Sequence, residues 1–533
     1  MLTVKSLLEL MRNSLCIWTF LAFVVLAIGL DFQLLDSLSI NVDGAFLLQC
    51  AQMMLDGKIP YVGVYDNNPP LAMYLHTIPW AVSRLTNLHV VTCFIFCIFT
   101  LALGSLFWCV RILYKFARAE DWRYLGPMLV GMSLITFTIG ADYGQREHFF
   151  VLSYMPFFML RWIRWQNLER NSTSQVSALE SCLCGVVAGI GLCLKPQYLI
   201  PVLAAELVCF FEKRSSKALF TPEVGGCIFA GLVYLVHFAF VPEAMKQSFF
   251  GFIVPLVLHG YGAYDCQLPD LLSVSLPAFY GGIFYGEPLF IPAFMSLVVF
   301  FALCLRARCS LLLPMVAWTV GGYFAFVLQH KGWSNHTIPM LSGCFLLVGL
   351  EYGVLANFCK FNKQFLWSAL CGFFVFLFLV AAGCRNSAPL YENHDFAKDL
   401  IAHASPGDNI LVLACSLYPA YPLLIQLDYL PGSRYLHLFP IPMLEYWKKR
   451  SDDPVQRKRL ELEEDRVLAD VGQDIRSNRP KLIALENSLF ERGDNNLIMS
   501  SYLLQHGFID KCMAGYQLIK TDFAYKLYLR KGE

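Results

Sequence analysis

The sequence predicts a polytopic α-helical membrane protein that ends in a soluble α/β domain, on three observations: its composition, its apolar stretches and its charge-rich tail. Of the 533 residues, 57% are hydrophobic and 15% are charged, whereas an ordinary soluble domain has about 25% charged residues. Residues 1–384 hold 22 Lys and Arg, and the much shorter residues 385–533 hold 19. The tail therefore has the charge density of a soluble domain, and we predict a domain boundary near residue 384.

Eleven apolar stretches are long enough to be membrane spans, since a helix needs about 20 apolar residues to cross the hydrocarbon core. The first stretch is too long for a cleavable signal, and the sequence after it is typical of a functional loop, so we expect it to be retained. The spans are predicted at about 13–31, 90–111, 124–140, 147–163, 178–194, 196–211, 222–241, 285–305, 310–329, 337–355 and 364–383.

The orientation follows from the Lys and Arg residues, which are enriched in cytoplasmic loops. With the N-terminus inside, 16 of the 22 cations of residues 1–384 lie in inside segments and six in outside segments. The odd number of spans then places residues 385–533 outside, in the periplasm if the membrane is a bacterial inner membrane. The long loops at about 32–89 and 242–284 are also outside, and long structured loops commonly carry function. The net charge of +1 gives no reason to expect a nucleic-acid partner.

The tail has the pattern of a small α/β domain. It contains no GxGxxG or Walker motif, so no glycine-rich phosphate loop is predicted. We consider either a lid or acceptor-docking domain or a stabilising cap without a ligand, and a disulfide between Cys415 and Cys512 stays open. Helices are predicted at 394–404 and 454–477, and strands at Asn409–Cys415, Lys481–Glu486 and Phe523–Leu529.

The first outside loop carries an ordered set of features over residues 39–80. An acid, Asp43, follows the first span and precedes a helical run, Ala45–Leu55, that ends at a glycine turn. Proline and aromatic residues then impose an extended, rigid path. The loop continues with Pro60-Tyr61, Tyr65-Asp66-Asn67-Asn68 and Pro69-Pro70-Leu71.

This order resembles the membrane glycosyltransferases of the GT-C fold, and most of all the protein O-mannosyltransferase and lipid A aminoarabinose transferase group. The matching residues are Asp43, Met54-Leu55-Asp56-Gly57, Pro60-Tyr61 and Asn68-Pro69-Pro70-Leu71. Asn68 stands where the aminoarabinose transferases have Lys. The resemblance implies an inverting, metal-independent transfer of a sugar from a polyprenyl-phosphate donor to a glycan, lipid or protein hydroxyl, with no cofactor.

Two acids of this loop are candidates for the chemistry. The resemblance gives Asp43 the role of catalytic base, because an inverting transfer needs a carboxylate to accept the acceptor's hydroxyl proton. The alternative is that Asp43 only caps the following helix. Asp66, with Tyr65 and Asn68 beside it, is expected to contact donor or acceptor, and its alternative is an Asx-turn that starts the proline corner.

Two further polar clusters lie between predicted spans on the same side. In the first, at residues 142–148, Arg146 is a candidate for the donor phosphate and Glu147 for orienting Arg146, with Gln145 and His148 beside them; the alternative is an interfacial ion pair. In the second, at residues 329–336, Lys331 and His336 are candidates for a phosphate and Trp333 for a sugar, against snorkelling and an interfacial aromatic belt. Lys195 is either a further phosphate contact or a snorkelling lysine.

Two other classes of function are alternatives on the sequence alone. A lipid-linked sugar flippase would place ionisable residues and broken helices at mid-membrane in related repeats, whereas the clusters here lie at one face and no repeat is visible. A non-catalytic envelope assembly protein would use the tail for docking. No Asp-x-Asp pair is evident on the outer side, and we predict no metal.

Overall fold

The computed structural model describes residues 38–116, 128–129, 131–133, 142–169, 176–213, 219–266, 311–358, 394–492 and 495–532. The chain divides into two compact units. The first, here the helical unit, comprises Met1–Asp36, Ile95–Val236 and Leu268–Ala388. The second, here the loop–tail unit, comprises Ser37–Phe94, His237–Gln267 and Pro389–Glu533.

The helices of the helical unit follow the predicted spans wherever the structure describes them. Two helices in the described part of the chain are long and apolar enough to cross a membrane, Val90–Lys115 and Ser334–Val354. Four predicted spans lie wholly or mostly outside the described residues: 13–31, 124–140, 285–305 and 364–383. The eleven-span count therefore stays a prediction. The helices are Val90–Phe116, Arg146–Glu169, Ala178–Leu192, Leu199–Lys213, Pro222–His237, Leu313–Gln329 and Ile338–Phe358, with short 3-10 turns at Pro196–Tyr198 and Ser334–Thr337.

Two adjacent glycines allow the helix Leu313–Gln329 to pack closely on two neighbours. A Cβ added at Gly321 would lie 2.7 Å from Pro201 Cα, and one added at Gly322 would lie 2.5 Å from Met340 N. Both neighbouring atoms belong to the backbone, so no rotamer change could relieve the overlap. The glycines thus set the approach of the helices that carry residues 199–213 and 338–358.

We expect Gly322→Leu to reduce the yield of folded protein sharply, because the side chain would have to displace a backbone at a cost of about 3 kcal/mol or more. Gly231→Leu is the matched control, since a Cβ at that helical position meets nothing within 4 Å. The measurement is the monodisperse fraction in detergent and its thermal midpoint. Equal behaviour of the two variants would contradict this account of the packing.

Buried ion pairs join three helices of the helical unit. Arg161 is 1% exposed and its guanidinium donates to Glu206 Oε1 at 2.9 Å and lies 3.5 Å from Glu223 Oε1. Arg164 Nη1 lies 2.7 Å from Glu223 Oε2. Both arginines belong to the helix Arg146–Glu169. Such charges are retained in an interior only when they are paired.

The loop–tail unit contains the strands β1 Asn409–Leu413, β2 Leu430–Pro431, β3 Leu482–Glu486, β4 Leu489–Arg492, β5 Asn495–Ile498, β6 Tyr516–Thr521 and β7 Tyr525–Arg530. Five of them form a mixed sheet with the order β2-β1-β3-β7-β6, and β4 and β5 form a separate hairpin. Strands β2, β1 and β3 are parallel, whereas β7 pairs antiparallel with β3 and β6. The order places β1 inside the sheet, in agreement with its continuous apolar run.

Only part of this unit follows from the sequence pattern. The three predicted strands correspond to β1, β3 and β7, and the two predicted helices are found at Asp395–His403 and Pro454–Asn478. The other four strands were not predicted, and Cys415 and Cys512 are both free thiols. The remaining helices are Val42–Leu55, Leu71–Leu75, Thr77–Thr86, Glu243–Ser248, Val254–Gly260, Ala420–Gln426, Pro440–Arg450, Met499–Gln505 and Phe508–Cys512, with a π turn at Phe249–Ile253 and a 3-10 turn at Tyr261–Tyr264.

The segments that make up the loop–tail unit bear on the membrane topology of the chain. The unit combines the first long loop, the second long loop and the tail, which the charge pattern places on one side of the membrane. The compact unit agrees with the prediction that the three segments lie on one side of the membrane. That shared side and its assignment to the periplasm stay predictions.

A buried histidine links the tail to the first loop. The His437 ring meets Phe46 edge-on with 5.5 Å between ring centroids and lies 5.1 Å from Phe439. Burial lowers the pKa of His437 to about 3 from its usual 6.5. The folded state therefore keeps His437 neutral at pH values where the unfolded chain takes up a proton.

We expect the loop–tail unit to lose stability as the pH falls below about 6.5. Between that value and about 3 the unfolded state binds one more proton at His437, which lowers the free energy of unfolding by about 1.4 kcal/mol per pH unit. Thermal midpoints measured from pH 7.5 to pH 5 should fall less steeply for His437→Phe than for the wild type. Parallel pH profiles would show that His437 does not cause the slope.

Candidate active site

The first-loop acid Asp43 lies in the first turn of the helix Val42–Leu55. Asn41 is the capping residue of this helix, since its Oδ1 accepts a hydrogen bond of 2.6 Å from Gly44 N–H. The cap is therefore provided by Asn41 and not by Asp43. The Asp43 carboxylate is partly exposed, and the helix N-terminus stabilises its negative charge.

The second acid, Asp66, is 1% exposed and belongs to a corner of linked polar side chains. Its Oδ1 accepts from Asn68 Nδ2 at 2.9 Å, and the Asn68 carbonyl accepts from Tyr61 Oη at 2.5 Å. A side-chain amide, that of Asn68, thus donates to the Asp66 carboxylate. Tyr65 is buried and stacks on Tyr435, with 4.4 Å between ring centroids and 12° between planes, so its ring is part of the packing.

In the helical unit, three separate segments bring polar residues into one buried cluster, here the cation cluster. Residues 145–148 begin the helix Arg146–Glu169, and Lys195 has extended backbone before Pro196, as the residue before a proline prefers. His330 and Gly332 adopt positive φ angles, which turn the chain from one helix into the next. The 3-10 turn Ser334–Thr337 then places Asn335 and His336 in the cluster.

The centre of the cation cluster is an ion pair. Lys195 Nζ lies 2.5 Å from Glu147 Oε1, and it also donates to His336 Nε2 at 3.4 Å. Asn335 Nδ2 donates to Glu147 Oε2 at 3.1 Å. The exposed fractions are 1% for Glu147, 2% for His336 and 7% for Lys195. Lys195 is therefore directed into the protein and does not snorkel. It forms an ion pair with Glu147, on which Arg146 also acts electrostatically.

The other predicted residues of the helical unit surround this pair. Arg146 and Lys331 are 8% and 3% exposed, and both lie close enough to His336 to act on it electrostatically. Gln145 Oε1 accepts from Asn335 Nδ2 at 3.5 Å. The His148 ring accepts a hydrogen bond from Gly144 N–H at 3.1 Å, and the partly exposed Trp333 ring lies 5.3 Å from the His336 ring. The cation cluster thus gathers three cations, Lys195, Arg146 and Lys331, around the Glu147 carboxylate.

His336 is the member of the cluster that indicates a ligand. A Lys ammonium can only donate, so His336 Nε2 accepts from Lys195 and the ring proton lies on Nδ1. Nδ1 is buried and has no hydrogen-bond partner among the described residues. Buried polar atoms are nearly always hydrogen-bonded, so an acceptor that enters the cluster, such as a phosphate oxygen, would complete this site.

Sequence reasoning selected most of the cluster but missed two of its features. Asn335 was not among the predicted contacts, although it joins Glu147 to Gln145, and the Lys195–Glu147 pair connects residues 48 positions apart. Asn335 could have been selected from the sequence, because it is a polar residue inside the motif at residues 329–336. Within the described ranges, no three His, Cys, Asp or Glu side chains form a group that could hold a metal ion.

No protein-family model matches the sequence, and no curated protein matches it by sequence. Solved structures do match. ArnT from Cupriavidus metallidurans, bound to undecaprenyl phosphate, aligns over 97% of this chain and 98% of its own, with 11% identity and a TM-score of 0.56. The chain has the GT-C fold. This finding confirms the predicted polytopic helical architecture with a C-terminal α/β domain.

A second GT-C structure aligns less closely. The oligosaccharyltransferase AglB from Archaeoglobus fulgidus, in complex with an inhibitory peptide and a dolichol-phosphate, aligns over 88% of this chain and 69% of its own. Its identity is 10% and its TM-score is 0.46.

Proposed function

We propose that the protein is a glycosyltransferase that moves a sugar from a polyprenyl-phosphate-linked donor to a hydroxyl of a glycan, lipid or protein. The cation cluster carries this proposal, because a buried site with Lys195, Arg146 and Lys331 and an available N–H on His336 suits a phosphate. ArnT, which shares the GT-C fold, is bound to undecaprenyl phosphate in its solved structure, and that supports a lipid phosphate as the ligand class.

The reaction assigns a separate role to Asp43. As the acceptor oxygen bonds to the anomeric carbon, the bond from that carbon to the phosphate oxygen breaks and polyprenyl phosphate leaves. Asp43 takes the hydroxyl proton, and this general-base step contributes about 10²–10⁴-fold in rate. The cations stabilise the charge that develops on the departing phosphate. Asp66 and Asn68 are the proposed sugar or acceptor contacts, and Trp333 is a further sugar contact.

The proposed location is the periplasmic face of a bacterial inner membrane, with the N-terminus in the cytoplasm. This assignment is supported by the Lys and Arg asymmetry of the loops and by the folding of both long loops with the tail. No metal ion or cofactor is part of the proposal.

Mass spectrometry of cell-envelope glycans and lipid carriers, with and without the protein, tests the proposal. We expect cells that lack the protein to lose one sugar modification and to accumulate the sugar-loaded polyprenyl phosphate. The purified protein should then transfer that sugar in detergent from the isolated donor. A flippase would also cause accumulation but would not transfer sugar in detergent, and that result would overturn the enzyme assignment.

A further inference from the structure

The tail contacts the first loop next to Asp66. Tyr65 N–H donates to the Arg434 carbonyl at 3.0 Å, and the Tyr65 ring stacks on Tyr435. The first loop is thus held to the tail at Tyr65, the residue before Asp66, by a backbone hydrogen bond and by ring stacking. Stacked aromatic pairs contribute about 0.5–1.5 kcal/mol beyond the area they bury.

The tail segment that receives Tyr65 is itself fixed. Asp474 accepts from Ser433 Oγ at 2.8 Å, from Arg434 N–H at 2.9 Å and from Arg434 Nη2 at 2.8 Å. Tyr435 Oη donates to Asp470 Oδ2 at 3.2 Å. Both acids lie on the long helix Pro454–Asn478, so the surface that Tyr65 meets is anchored in the core of the tail.

A second set of contacts lies beside Asp43. Gln426 Nε2 donates to the Leu38 carbonyl at 2.9 Å, just before the helix that carries Asp43. Phe46, one turn beyond Asp43, meets Tyr421 and His437 edge-on, with ring centroids 6.0 Å and 5.5 Å apart. The tail therefore supports the first loop beside both of its acids.

We infer that the tail is a positioning domain, which holds Asp43 and Asp66 in the arrangement that the transfer requires. This inference rests on the proposed function for the roles of the two acids, and it replaces the lid and the inert cap as the account of the domain. Tyr435 is its principal positioning residue. Because misplacement of a reacting group by about 1 Å can cost about 10²-fold in rate, loss of the stack should act mainly on kcat.

The test compares three variants of the full-length protein. Tyr435→Ala removes the stack on Tyr65, and Tyr435→Phe keeps the ring but removes the hydroxyl, with its hydrogen bonds to Asp470 and Tyr65. Tyr525→Ala is the matched control. Tyr525 is also a buried tyrosine of the same unit, 6% exposed against 1% for Tyr435, and it stacks on Phe396 with ring centroids 4.7 Å apart. Hydrogen–deuterium exchange of residues 58–70 and steady-state transfer kinetics are measured for each.

We expect Tyr435→Ala to lower kcat about 10- to 100-fold with little change in the donor KM, and to accelerate exchange in residues 58–70. Tyr435→Phe should restore both values, and Tyr525→Ala should leave them near wild type. Slow exchange in Tyr435→Ala, or equal losses in Tyr435→Ala and Tyr525→Ala, would overturn the inference. If the wild type transfers no sugar, the proposed function is wrong. Accelerated exchange in Tyr435→Ala would in that case still show that the tail holds the first loop in place.

Discussion

Asp43→Asn should abolish sugar transfer while the protein accumulates in the membrane at its normal level. A carboxamide cannot accept the acceptor's proton, so we expect a loss of about 10²–10⁴-fold in kcat with donor binding unchanged. The fold should tolerate the change because the cap of the helix is Asn41. The lost interaction with the helix dipole is worth about 0.3–1 kcal/mol.

The measurement is transfer by the purified variant from the isolated lipid-linked donor, with membrane level and thermal midpoint recorded in parallel. Asp56→Asn provides a matched control, since Asp56 follows the same helix at its other end and its side chain is 58% exposed. Full activity of Asp43→Asn would exclude Asp43 as the base. Equal losses in both variants would point to damage to the helix.

The second large effect is expected at Lys195. Lys195→Gln removes a proposed phosphate contact and leaves the Glu147 carboxylate buried without its ionic partner. Breaking a buried pair in this way destabilises a protein by about 3–5 kcal/mol. We therefore expect lower thermal stability together with a loss of transfer of about 10²-fold or more.

The double variant Lys195→Gln with Glu147→Gln separates these two effects. Replacing both partners removes the uncompensated charge, so the thermal midpoint should recover toward that of the wild type. Transfer should stay low, because the cation that meets the phosphate is still absent. Recovery of both properties in the double variant would show that Lys195 serves the fold alone.

The sequence predicts the fold class because apolar stretches, loop charges and tail composition are local properties of the chain. The first-loop motif likewise selects Asp43 and Asp66 as candidates, because the order of its residues resembles that of a known family. Partnerships between distant residues are not local. Lys195 with Glu147 and Tyr65 with Tyr435 depend on the three-dimensional path of the chain, and neither pair leaves a periodic or spacing signal.

The short strands of the tail could not be predicted from the sequence either, because they too depend on distant partners. Strand β2 has two residues and is defined by its pairing with β1, and β4 and β5 define each other. Their own side chains carry little preference for a strand. In contrast, Asn409–Leu413 is an apolar run led in by a turn, so it is evident without its partners.

The contact between Tyr65 and Tyr435 joins residues 370 positions apart, and all the later predicted spans come between them. During synthesis the first loop therefore emerges long before its partner. At a translation rate of about 5–20 residues per second, the interval is about 20–70 seconds. Strand β7, which ends at Arg530, must then pair with β3 to close the sheet. A nascent chain that lacks β7 therefore exposes its two acids unsupported, and we expect activity to begin only after β7 has left the ribosome.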